Sequence, residues 1–121
     1  MGQLQRKSFD QPDETRTFTD GKGKVDVVTV GDGPIGRGRF EPGWRWSHNV
    51  KPIAGTDSCR SHHTGYVISG RMVVRMDDGE EQEFGPGDAF VMPPGHDAWI
   101  VGDEPCELID FTGMHTYAVP H

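Results

Sequence analysis

Between residues 87 and 99 the chain reads Gly87-Asp88-Ala89-Phe90-Val91-Met92-Pro93-Pro94-Gly95-His96-Asp97-Ala98-Trp99, a short apolar run held between two glycine turns. Four residues from Ala89 to Met92 are long enough for one strand, and Pro93-Pro94-Gly95 must end it. The same rhythm continues in both directions. Upstream, strands over 59–69, 71–76 and 81–84 are separated by Ser69-Gly70, by Asp77-Asp78-Gly79 and by Gly85-Pro86-Gly87-Asp88. Downstream, Ala98–Val101 and Cys106–Thr112 flank the turn Gly102-Asp103-Glu104-Pro105. Closely spaced short strands with Gly/Pro turns predict an antiparallel sandwich or barrel. No segment has a helical period of useful length.

The amino-terminal half is less regular. Lys24–Val30 is β-branched and bounded by Gly23 and Gly31, and Ile35–Glu41 alternates up to the turn Pro42-Gly43. Trp44-Arg45-Trp46-Ser47-His48 alternates as a strand would, which places Trp44, Trp46 and His48 on one face. Residues 49–58 read as a loop. Residues 1–22 are polar and aperiodic, an amino-terminal arm that is either loose or laid as an edge strand on a partner. The barrel domain is then expected over 23–121.

Composition agrees with a small sheet-built domain. Gly (17) and Pro (9) are abundant in 121 residues, which disfavours a helical bundle, and 33% hydrophobic residues allow only a thin core. A net charge of −7 repels phosphate backbones, so nucleic acid is not an expected partner. No apolar run reaches about 18 residues, so no membrane span is expected. The first residues carry no apolar export core, and Arg6 stands where a myristoylation signal needs Ser or Thr. Two cysteines, Cys59 and Cys106, cannot form a disulfide framework, so a cytoplasmic setting is expected.

Residues 63–98 resemble the core of the cupin family. The family's second motif, Gly, five residues, Pro, one residue, Gly, is met at Gly87, Pro93 and Gly95, and Tyr66-Val67-Ile68-Ser69-Gly70 matches the end of its first motif. Further segments are similar to a group of small bacterial cupins without a settled reaction. These are Trp46-Ser47-His48-Asn49-Val50-Lys51-Pro52, Ala54-Gly55-Thr56-Asp57-Ser58-Cys59 and Pro93-Pro94-Gly95-His96-Asp97-Ala98-Trp99. The resemblance implies an all-β, double-stranded β-helix (jelly-roll) barrel whose interior holds a divalent metal. The family's four ligand positions fall on Asp57, Cys59, His63 and Ala98, so none carries its usual residue.

Strand alternation sends Cys59, Ser61 and His63 inward and His62 outward, and His96 shares the face of Ala98. His63 and His96 are therefore the candidate metal ligands, with Cys59, Asp57 or His48 as third. Imidazole with thiolate suits Zn, imidazole with carboxylate suits Fe or Mn, and Ni remains open. A metal-bound site would lose affinity as its imidazoles protonate near pH 6. Without a metal, His63 and His96 would line the pocket and bond to each other or to a ligand, and Cys59 would be a small buried filler. Trp44, Trp46, Tyr66, Phe90 and Trp99 either line a mouth for a planar small molecule or form ordinary core. Asp97 is expected in a structural role, because it points away from His96. Two functions remain open: a small-molecule enzyme, metal-dependent or using His63 and His96 as acid and base, and a non-catalytic binding module. A homodimer is expected, because small barrels have open sheet edges to cover.

Overall fold

Hairpins dominate the chain because nearly every expected turn is one. The computed structural model describes residues 2–120. Its strands are β1 (Glu14–Thr17), β2 (Gly23–Val30), β3 (Gly33–Phe40), β4 (His63–Ser69), β5 (Met72–Met76), β6 (Glu81–Phe84), β7 (Ala89–Met92), β8 (His96–Ile100) and β9 (Cys106–Asp110). Two helical turns, α1 (Trp46–Asn49) and α2 (Lys51–Ala54), lie between β3 and β4. The strands form two sheets, ordered β1-β2-β3-β9-β4-β7 and β6-β5-β8, and every pairing is antiparallel. The turn glycines Gly87 and Gly95 sit at φ 91° and 94°, where any side chain would be strained.

Period-two burial aims the core. In β4, His63, Gly65 and Val67 are buried between more exposed neighbours, and in β8 His96, Ala98 and Ile100 are. One apolar cluster joins both sheets through residues such as Val25, Phe40, Val67, Met72, Phe90 and Leu108.

Two expectations need correction. Trp44–His48 is not a strand. Arg45 makes one bridge to Trp99, and the chain then turns helical from Trp46. Local polar bonds account for this: Asn49 Oδ1 accepts from the Arg45 N–H (2.9 Å), and Asp97 accepts from the Ser47 N–H (3.0 Å) and hydroxyl (2.9 Å). Second, part of the amino-terminal arm belongs to the barrel. β1 pairs with this chain's own β2, and Phe18 is buried with its ring 5.3 Å from Phe40. The boundary expected at residue 23 therefore moves to about residue 14. The chain stays on the barrel after β9. Residues 113–118 turn back over it, burying Met114 and Tyr117, and Arg16 donates to both of their carbonyls at 2.7 Å.

One outer face stays apolar. Tyr66, Ile68, Val91 and Phe111 on and beside β4, β7 and β9 are 45–57% exposed.

Candidate metal centre

The inward register of β4 and β8 brings three donors together. Cys59, just before β4, bridges His96 at the start of β8, and its Sγ lies 3.6 Å from His63 Nε2. The rings of His63 and His96 are 5.4 Å apart. One donor atom from each of Cys59, His63 and His96 lies within 4.8 Å of the other two, and all three residues are buried.

Each imidazole is oriented by an oxygen on its other nitrogen. His63 Nδ1 is bonded to Asp110 Oδ2, and His96 Nδ1 donates to the Pro93 carbonyl at 2.6 Å. Asp110 is itself fixed, since its Oδ1 accepts the Thr112 N–H (3.0 Å) and the Gly113 N–H (2.9 Å). Gly113 makes this approach possible: a Cβ there would lie under 3.0 Å from both His63 Nδ1 and Asp110 Oδ2. The Nδ1 bonds leave the Nε2 atoms as the ligating nitrogens. A carboxylate or carbonyl on the far ring nitrogen is the usual support of metal-bound histidine.

The charges are set by the same contacts. Burial pushes the Cys59 thiol up, but bonds from His63 and His96 outweigh it and bring the pKa down to about 6. Burial pushes His63 down, but its bonds to Asp110 and Cys59 outweigh it and raise the pKa to about 9. At neutral pH the pair is thiolate and imidazolium, so the sulfur is already in its ligating form. Cys106 shows the contrast, where burial followed by Glu107 raises the thiol to about 12.

The remaining candidates divide. Trp44, Trp46 and Phe90 line the cavity beside His63 and His96. Tyr66 faces solvent. Trp99 is on the outer face under the Arg45 guanidinium, 4.5 Å from its ring centre. Neither lines the cavity. His48 is exposed on α1 and Asp57 is exposed in the loop, and neither joins the donor cluster. Asp97 points away from His96 and ties Ser47 and Arg45 to β8. Sequence reasoning did not single out Asp110, Gly113, Met114 or Tyr117. The one available hint was the polar Asp110 on the inward face that it shares with Cys106 and Leu108.

Two antiparallel sheets enclosing three buried donors, Cys59, His63 and His96, define a small β-barrel with a cluster that could hold a metal ion. A family model described as Cupin domain matches residues 54–112. The chain thus carries a cupin domain, and its fold is a double-stranded β-helix. No curated protein sequence matches it. Among solved structures it is similar to the polyketide cyclase RemF from Streptomyces resistomycificus. That likeness has 16% identity, a TM-score of 0.64, and coverage of 92% of this chain and 80% of that one. It is also similar to an uncharacterised double-stranded β-helix protein from Klebsiella pneumoniae (22%, TM-score 0.58, 92% and 90%). KdgF from a Halomonas species is a third (20%, TM-score 0.56, 83% and 86%). At these identities the likeness is one of fold.

Proposed function

We propose that the protein is a zinc-dependent enzyme acting on a small organic molecule inside the barrel, with Cys59, His63 and His96 as the three protein ligands. The observation that carries this is the pair of oriented imidazoles, each held at Nδ1 by an oxygen, next to a depressed thiol. One thiolate and two imidazoles suit zinc better than iron or manganese, and three protein ligands leave a position open. A zinc ion there would supply a Lewis acid or an acidified water. Asp110 holds His63 in the ligating tautomer, and the apolar walls restrict water. The similarity to a polyketide cyclase fits a role on small organic substrates. Elemental analysis of the full chain, purified without chelator or histidine tag, should find one zinc per chain. Iron or manganese would overturn the choice of zinc, and a metal-free protein that takes up no zinc would overturn the centre. A non-catalytic binding module would carry the same pocket without turnover.

Among the described residues no helix is long and apolar enough to cross a membrane. Both cysteines are free, in keeping with the cytoplasmic setting we propose.

We also propose a homodimer through the outer face of Tyr66, Ile68, Val91 and Phe111. Two copies each carrying −7 repel except where the surface is uncharged, and this face is such a surface. Light scattering should give twice the chain mass, and Val91→Asp should give the monomer. A wild-type monomer at high micromolar concentration would overturn this.

A further inference from the structure

Among the described residues, only two buried side-chain nitrogen or oxygen atoms lack a hydrogen-bond partner: Nε1 of Trp44 and Nε1 of Trp46. Both indoles are at most 2% exposed, and both line the cavity that His63 and His96 line. A buried donor without a partner is costly, and phenylalanine would fill the same space without that cost. Two such donors on residues that line one cavity point to a ligand that supplies acceptors. We infer that the cavity selects small, uncharged carbonyl compounds whose oxygen accepts hydrogen bonds from the Trp44 and Trp46 indoles.

Size, polarity and charge each narrow the class. The cavity is ≈ 30 Å³, room for roughly two water-sized groups, so the ligand is small. A larger body, such as a five-membered ring, has to push wall side chains aside, and Met114 is a flexible one among them. Apart from the two histidines, Asp110, Tyr117 and the indoles, the wall is built from groups such as Phe40, Met72, Phe90 and Leu108, which suit an apolar body. A carbonyl oxygen has two lone pairs, enough for two donors. The preference for an uncharged ligand rests on the metal reading above. A zinc dication, the Cys59 thiolate and the Asp110 carboxylate together sum to zero charge, so an added anion would be buried without a counter-charge.

The test uses cyclopentanone, its isostere methylenecyclopentane (carbon in place of oxygen) and acetate. Each is titrated into the full-length protein, zinc-loaded and zinc-stripped, while the three indole N–H signals are followed by nitrogen-15 NMR. Trp99, outside the barrel, is the internal reference. Cyclopentanone should shift the Trp44 and Trp46 signals downfield and leave Trp99 in place, whereas methylenecyclopentane should shift none by hydrogen bonding. Acetate should bind the zinc-loaded form more weakly than cyclopentanone does. Trp44→Phe and Trp46→Phe should each weaken cyclopentanone about tenfold and leave methylenecyclopentane unchanged. Equal binding of the ketone and the hydrocarbon, or unmoved indoles at saturation, would overturn the inference, and these wild-type readouts stand even if a variant fails to fold. The metal reading is judged separately. Zinc uptake without an indole response rejects the carbonyl ligand and keeps the centre. An indole response in a protein that takes up no zinc keeps the carbonyl ligand and rejects the centre.

Discussion

Cys59→Ala, His63→Ala and His96→Ala should each lose stoichiometric zinc, while His62→Ala should retain it. With three protein donors, removing one leaves two, too few for a tight site. The fold should survive each change. Cys59→Ala removes one sulfur from the core, at a cost of about 1 kcal/mol. His63→Ala strips Asp110 of its ring partner, but the Thr112 and Gly113 N–H groups still serve the carboxylate. His62 is the control because it is exposed, with a ring nitrogen 3.5 Å from the Thr112 hydroxyl and no place in the donor cluster. Asp110→Asn removes the charge that fixes the His63 tautomer and should weaken zinc by about 10–100-fold without abolishing it. Zinc content and calorimetric titration read the metal, and circular dichroism checks the fold. The assignment of the ligands is wrong if His62→Ala strips the ion and His63→Ala does not.

Zinc affinity should also rise about tenfold per pH unit between pH 6 and 9, with about one proton released per ion bound. The sign follows from the two buried groups. In this window the metal-free site holds Cys59 as thiolate, with its pKa lowered to about 6, and His63 as imidazolium, with its pKa raised to about 9. The ion must displace one proton, from His63, so each unit of rising pH favours binding by a factor of ten. Below pH 6 the dependence steepens, because Cys59 then carries a proton as well. The sequence alone placed this loss near pH 6, the ordinary imidazole range. The Asp110 and Cys59 contacts move the onset to about 9.

Stability of the metal-free protein should behave differently. The Cys59 contribution is present above the unfolded thiol pKa near 9.0 and is lost as pH falls through about 6. The His63 contribution is present below the unfolded imidazole pKa near 6.5 and is lost as pH rises through about 9. Within the window the two slopes oppose and nearly cancel, because folding moves a proton from sulfur to nitrogen without taking one up. Calorimetric titrations in buffers of different ionisation heat measure the proton release. A pH-independent affinity across the window would contradict the ion-paired site.

Much of the barrel was legible because its information is local. Gly87, Pro93 and Gly95 place turns by backbone geometry alone, and the strands between them need only a few residues of alternation. The same alternation put Cys59, Ser61 and His63 inside and His62 outside, and the burial pattern agrees. It failed over Trp44–His48. There an apparent period of two was overridden by bonds to Asn49 and to Asp97, a residue distant in sequence. It also could not separate cavity aromatics from surface ones. Trp99 alternates correctly but outward, and its ring lies under Arg45 rather than over the pocket.

The centre shows where sequence stops and packing begins. Composition and turn spacing determined an antiparallel barrel with His63 and His96 facing inward, because each of those facts depends on a residue and its near neighbours. Which oxygen orients each ring, which donor completes the set and what caps the mouth depend on pairings between distant segments. Asp110 reaches His63 from 47 residues away because β9 lies beside β4, with Asp110 next to Gly65 in register. Met114 and Tyr117 close the barrel because the chain beyond β9 folds back and is held by Arg16, about a hundred residues upstream. Side-chain type and alternation carry no record of such neighbours. Sheet order decided them, and with them the ionisation of the thiol and the imidazole at the centre.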